Sequence, residues 1–147
     1  MINIHIFGRK RWKLPEDKVF QRACAIVLKT EGFKHAEINL ILMNDREIHA
    51  INKKFLNHDE PTDVITFPLD SQKGTMNGEL YLGIGVAKRT AAKLKHTLET
   101  ELVLYTIHGT LHLCGYDDLK ESPRKEMRRK EKFYLEKLGY KNISPQE

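Results

Sequence analysis

TLETELVLYTIHGTLHLCGYDD, residues 97–118, reads as one long helix that stops at a glycine and turns back. Thr97 suits its N-cap, because a hydroxyl there can accept from an otherwise unpaired N–H of the first turn. The helix is expected to run to about Cys114, and Gly115, free to adopt a positive φ, then ends it. Residues four apart lie one turn above another, so His108 and His112 project from one face with Cβ atoms about 5–6 Å apart. Leu111 and Leu113 fall on other faces and can pack the helix into a core.

Working outward, Ile2, Ile4 and Ile6 alternate with Asn3 and His5, the period of a half-buried strand closed by Gly8. Pro15, Glu16 and Asp17 suit a first helical turn, with Val19, Ala23, Ile26, Val27 and Thr30 on one face and Gly32 at the end. Ile38 to Met43 predicts a buried strand. Asn44 and Glu47 form a capping-box pair for a short helix whose inward stripe is Ile48, Ile51 and Phe55. Val64 to Phe67 reads as a strand stopped by Pro68, a glycine-bearing loop follows, and Glu79 to Ile84 is the next strand. Gly83 and Gly85 bracket the exit into a helix through Val86, Ala87, Thr90, Ala91 and Leu94. Ser122 and Pro123 make an N-cap and N1 pair for a last helix that ends at Gly139. The expectation is an α+β fold, a single mixed sheet with about five helices packed on it.

A chain of 147 residues with 40% hydrophobic and 31% charged residues suits one globular domain, residues 1–147, with one core. Cys24 and Cys114 do not make a disulfide framework, which points to a reducing compartment, and both are expected to be free thiols. No apolar run approaches the roughly 18 residues of a membrane span, and the N-terminus has no signal-peptide core. A cytoplasmic protein without a membrane partner is expected. The net charge of +5 is a C-terminal feature, since residues 119–142 carry nine Lys and Arg against four Glu. A smaller knot is Arg9, Lys10, Arg11 and Lys13. Such charges can meet phosphates or simply face solvent.

Two imidazoles at helical spacing can converge on one ion, and the turn at Gly115 brings a carboxylate toward them from the open side. Spacing alone leaves Asp117 and Asp118 both possible. Cys114 is disfavoured, lying about 200° around the helix from His112 at 100° per residue. Two nitrogens and one oxygen favour zinc, with nickel, copper or manganese also compatible. Three protein ligands leave a position for water, so hydrolysis is the natural reaction class. Zincin-like peptidases share the H-x-x-x-H helix, and metzincins share the glycine too, but they place a glutamate after the first histidine, where this chain has Gly109. A peptidase would therefore lack its proton shuttle. His5, His35, His49 and His96 have no partner at ligand spacing and are assigned no chemistry. Thr66 and Asp63 are read as shaping a strand and its turn, and Tyr116 as packing beside the helix end.

HGTLHLCGYDD, residues 108–118, resembles the H-G-x-L-H-L-x-G-Y-D-H segment of the bacterial YbeY family of endoribonucleases, fitting ten of its eleven positions. DEPTDVITFP, residues 59–68, is similar to that family's D-x-P-T-D-V-L-S-F-P segment, and Gly78, Glu79 and Leu80 resemble its G-D-I strand start. The resemblance implies a mixed four-stranded sheet flanked by helices and a metal-dependent, single-strand-specific endoribonuclease. It implies action in ribosomal RNA maturation, at the small subunit's 3′ end, and in ribosome quality control, with ribosomal RNA and the small ribosomal subunit as partners. It maps catalytic and metal-binding roles, with one zinc ion as cofactor, onto His108, His112 and Asp118, the last standing where most members have histidine. Many members also carry an arginine just before the D-x-P-T-D segment, whereas this chain has Leu56, Asn57 and His58. His58, Lys88, Arg89 and the basic C-terminal helix are the candidate RNA contacts in its place. The competing readings are a metzincin-like zinc peptidase and a non-catalytic ribosome-binding factor whose metal staples a helix to its loop.

Overall fold

A computed structural model of the chain describes residues 1–10, 12–69 and 75–141. Arg11 and the glycine-bearing loop at 70–74 lie outside them. Four strands, β1 (Ile2–Phe7), β2 (His35–Met43), β3 (Val64–Pro68) and β4 (Thr75–Gly83), form one sheet in the order β1-β2-β4-β3. β1, β2 and β4 run parallel, and β3 is antiparallel to β4. Five helices are described: α1 (Asp17–Thr30), α2 (Asp45–Leu56), α3 (Ile84–Leu94), α4 (Leu98–Leu113) and α5 (Glu121–Lys137). The architecture is α+β with a single mixed sheet.

Alternation decides which face of the sheet is covered. Ile38, Leu40 and Leu42 of β2 and Met76, Leu80 and Leu82 of β4 are buried together with Phe20, Cys24 and Leu28 of α1. α4 lies across the same layer, and α1, α3 and α5 surround its remaining sides. A helix enclosed in this way is apolar around most of its circumference, which is why residues 102–107 are all buried. Gly109 sets how closely it sits. A Cβ built there would lie 2.9 Å from Val64 Cγ1 and 3.0 Å from Leu80 Cδ2, so the absent side chain lets the helix backbone rest on β3 and β4.

The caps expected at Asn44, with its reciprocal Glu47 bonds, and at Thr97 are present. Other boundaries move. α1 starts at Asp17 with Glu16 as its N-cap, so Pro15 precedes the helix. α5 starts at Glu121 with Lys120 as its N-cap, placing Ser122 and Pro123 inside the first turn. Proline is still tolerated there, because the first main-chain bond closing the helix is Arg124 N–H to Lys120 O, one residue later. β2 begins earlier than expected, at His35, and β4 spans Thr75–Gly83, with Ile84 already helical. β3 keeps Pro68, paired opposite Gly78, because it is an edge strand.

Two expected stripes are also corrected. α1 buries Phe20, Ala23, Cys24, Val27 and Leu28, while Val19 and Ile26 are only partly covered and Thr30 is exposed. Its buried arc is widened because Phe20, Cys24 and Leu28 face the sheet while Ala23 and Val27 face α4 and α5. In α2, Ile48 is buried but Phe55 is 58% exposed. Phe55 instead meets Phe67 edge-on at 5.5 Å, and Asn52 takes the inward position, donating to the Glu60 carbonyl. No described helix is long and apolar enough to cross a membrane.

Candidate metal centre

α4 presents His108 and His112 on one face, their Nε2 atoms 3.0 Å apart. Cys114 closes the helix and Gly115 follows at φ +103°. The reversal is locked by Gly115 N–H to His112 O and Tyr116 N–H to Leu111 O, the paired bonds of a glycine-terminated helix. It returns Asp118 to the open side, with Oδ2 3.5 Å from His108 Nε2 and Oδ1 3.7 Å from His112 Nε2. Asp117, equally placed by spacing, shapes the turn instead, its Oδ1 accepting from the Leu119 N–H. Arg124 Nε holds the Asp118 carbonyl at 3.1 Å.

Candidate ligand atoms of His108, His112 and Asp118 all lie within 4.8 Å of one another. An ion with bonds of about 2.05 Å at tetrahedral angles sets its ligand atoms roughly 3.3 Å apart. The two Nε2 atoms, 3.0 Å apart, lie near that value, and Asp118 turns one oxygen to each ring, at 3.5 and 3.7 Å, so the three groups converge closely enough to hold a small divalent ion. Cys114 stays out of the group. Partial burial, with the charge of Glu31 beyond it, pushes its thiol up to about 12; both cysteines are free, Cys24 buried and Cys114 half-buried.

The surroundings orient the ligands. Glu131 of α5, fully buried, hydrogen-bonds His108 Nδ1 through Oε2, and its Oε1 accepts from Arg128 at 3.0 Å. With Nδ1–H committed to the carboxylate, the neutral ring turns its Nε2 lone pair toward His112 and Asp118. Burial opposes protonation of His108, but the bond and charge of Glu131, with Asp118 and Asp63 beyond, outweigh it and raise its pKa. His112 is shifted down, first by burial and then by the positive charge of its neighbour.

This trio lies in a cleft of about 440 Å³, whose other walls include Asp63, Glu101, Tyr105, Arg128 and Glu131. Glu101 and Tyr105 sit seven and three residues before His108, on the same face of α4, so helical counting from the first histidine reaches them. No local signal in the sequence reaches Glu131 or Arg128, which arrive only when α5 docks. Asp63 both shapes the start of β3, its Oδ1 accepting from the Val64 N–H at 2.7 Å, and lines the cleft. His96, assigned no partner from the sequence, bonds buried Glu101 at 2.5 Å.

Of the expected RNA contacts, Arg89 is engaged by both oxygens of Asp45 at 2.8 and 3.2 Å. Lys88 borders a separate recess beside the start of α2, and His58 is exposed on the loop after α2. None of the three lines the cleft that holds the trio. Gly109 also bears on the peptidase reading, because a side chain at that position would crowd Val64 and Leu80.

The Asp118 loop is anchored from behind. Glu31, at the end of α1, accepts from Tyr134 at 2.5 Å, Tyr116 at 2.7 Å and Lys130 at 3.2 Å. Burial raises the pKa of its carboxyl, but these three donors outweigh it and hold the value below the ordinary carboxylate range. A folded pKa below the unfolded one contributes stability that is present above about pH 4.3 and is lost as pH falls through the folded value. Urea melts of wild type and Glu31→Gln should therefore show a clear wild-type advantage at neutral pH that shrinks in strong acid. An advantage equal at both pH values would mean that the Glu31 charge contributes nothing.

The family model described as Endoribonuclease YbeY matches residues 9–139. A curated relative with that name from Chlorobium phaeovibrioides is 40% identical over 138 residues, covering 94% of this chain and 92% of the relative. Another of the same name, from Chloroherpeton thalassium, is 38% identical over 137 residues, covering 93% and 96%. The solution structure of TM1509 from Thermotoga maritima superposes with a TM-score of 0.66 at 30% identity, over 99% of each chain.

Proposed function

Because this chain belongs to the YbeY family of endoribonucleases, we propose that it is a metal-dependent endoribonuclease that cuts single-stranded RNA in the cleft beside α4. The observation that carries this is the convergence of His108, His112 and Asp118 at separations suited to one divalent ion, inside a polar cleft. Zinc suits two imidazole nitrogens and a carboxylate oxygen. The family resemblance supports ribosomal RNA as the substrate, at the small subunit's 3′ end, and a cytoplasmic setting beside the ribosome.

His108 Nε2, His112 Nε2 and an Asp118 oxygen would hold the ion. Bound there, such an ion supplies a Lewis acid for a phosphoryl oxygen and lowers the pKa of a coordinated water toward about 7. The protein's own groups fix the arrangement. Glu131 holds the His108 ring in one tautomer, Arg124 pins the Asp118 backbone, and Asp63 adds negative charge to the cleft wall. The basic α5 borders the same cleft through Arg128, which offers a polyanion a positive charge among the carboxylates of the lining.

The test compares single-stranded RNA, double-stranded RNA and a peptide, each with zinc-loaded protein and with protein stripped by a chelator. Cleavage of the single strand that stops on chelation and returns with zinc is the expected result. Peptide turnover would favour the peptidase reading, and chelation that unfolds a protein with no RNA activity would favour the metal staple. Products ending in a 2′,3′-cyclic phosphate would assign the first attack to the RNA's own 2′-hydroxyl.

A further inference from the structure

The carboxyl ends of the three parallel strands open on a second recess, of about 310 Å³, whose lining shares no residue with the metal cleft. In open α/β sheets, ligands bind in the crevice beyond those ends. Trp12 comes from the loop after β1, Arg46 from the start of α2 after β2, and Lys88 from α3 after β4. Three cations nearby are committed to the fold. Arg9 donates to the Leu14 and Pro15 carbonyls and pairs with Asp17 at 2.5 Å, and Lys10 pairs with Glu47 of α2 at 2.5 Å. Arg89 engages both oxygens of Asp45, the one carboxylate in the lining. Arg46 and Lys88 differ: both are exposed, and among the described residues neither side chain has an ion pair or hydrogen bond.

Exposed cations usually face solvent, so the two charges alone point to nothing. What sets this pair apart is the indole that shares their recess. Trp12 is partly buried against the core, and its remaining surface lines the opening. The loop that carries it is anchored through Arg9 and Lys10, which fixes where the ring stands. Unpaired cations beside an aromatic ring are the means by which proteins hold single strands, the charges following phosphates while the ring packs against bases. The recess also adjoins the cleft along the chain. Gly83 N–H donates to the carbonyl of Asp63, which lines the cleft, and the next two residues, Ile84 and Gly85, line the recess.

Resting on the RNA-cleaving reading above, which supplies the ligand's chemistry, we propose that this recess is a docking site for single-stranded RNA, apart from the cleft that cuts it. Arg46 and Lys88 hold phosphates there, and a base packs against Trp12. Arg46 brings the planar fork that matches phosphate oxygens, and Lys88 a mobile point charge. A duplex is a poor occupant, because its bases are paired and stacked and offer no free ring face to the indole. Docking of this kind binds the substrate and the transition state equally, so it lowers KM rather than raising kcat. Of the RNA contacts expected from the sequence, Lys88 finds its role here, while Arg89 serves indirectly by neutralising Asp45.

Trp12 is the single tryptophan of the chain, so the protein's own fluorescence reports on this recess. Metal-free wild type is titrated with labelled single-stranded oligouridine, which forms no pairs of its own. Tryptophan quenching should follow the same curve as the anisotropy of the label. Arg46→Ala combined with Lys88→Ala should weaken binding about tenfold and reduce the slope of log affinity against log salt by about 1.4, two phosphates at about 0.7 each. Lys29→Ala combined with Lys34→Ala removes the same charge from exposed positions beside a different recess, near the amino ends of β1 and β2, and should have a much smaller effect. Equal losses from the two pairs overturn the proposal, as does anisotropy that rises while the tryptophan emission stays fixed. In a cleavage arm, the zinc-loaded wild type should show a KM about tenfold lower for a long single strand than for a trinucleotide, an advantage that the Arg46 and Lys88 double variant loses. An advantage kept in full by that variant also overturns the proposal. Quenching by RNA in a protein that cuts no RNA leaves the docking site standing and brings down the endoribonuclease reading, whereas cleavage without a tryptophan response does the reverse.

Discussion

His112→Ala is expected to cut single-stranded RNA about a thousandfold more slowly than wild type and to retain little zinc. The residue supplies one of only two nitrogens in the candidate ligand set, and the Nε2 atoms of the pair are 3.0 Å apart. Losing it leaves one imidazole and one carboxylate, too few to hold a hydrolytic ion in a defined geometry. Lewis-acid assistance is worth several kcal/mol, and about 4 kcal/mol of lost transition-state stabilisation corresponds to a factor near a thousand. The fold should survive, because His112 is only partly buried and ends a helix whose other faces carry the core. Single-turnover assays beside elemental analysis provide the check. Wild-type rates in the variant would place the activity in a contaminating nuclease or at another site.

Glu131→Gln should lower zinc affinity by about 10- to 100-fold, the usual cost of disturbing a partner that orients a histidine ligand. The carboxylate is fully buried and serves two neighbours at once, His108 Nδ1 and the Arg128 guanidinium. An amide keeps the shape and one acceptor but removes the charge that favours the Nδ1–H tautomer of His108. A competition titration against a chelating dye, with circular dichroism to confirm folding, measures the change. Affinity equal to wild type would show that the ring is held by helix packing alone.

The parts of this molecule that local chemistry dictates were legible in its sequence. The period-2 isoleucines of β1, the Asn44–Glu47 capping box, the Thr97 cap and the Gly115 stop each depend on a few neighbouring residues. The two histidines were legible for the same reason, since helical spacing alone puts them on one face. What spacing left open, Asp117 or Asp118, is decided by the path of the chain after Gly115, and there the Leu119 N–H engages Asp117. Features that depend on docking were not legible. The pairing of β2 with β4 rather than β3, the wide buried arc of α1 and the exposure of Phe55 all follow from which elements lie against which. Glu131 and Arg128 belong to the same class. In the sequence they are two members of a basic amphipathic run, and only the seating of α5 against α4 turns them toward His108.

Two of the three candidate ligands ride on α4, whose distance from β3 and β4 is set by the bare backbone at Gly109. The third hangs from a loop fastened through Tyr116 to Glu31 at the far end of α1. The three therefore converge only while two separate junctions, helix on sheet and turn on helix, are both closed. Loosening either one opens the ligand triangle before any helix unwinds, so on warming a captured ion should escape ahead of the loss of helical signal, making its release an early gauge of tertiary loosening.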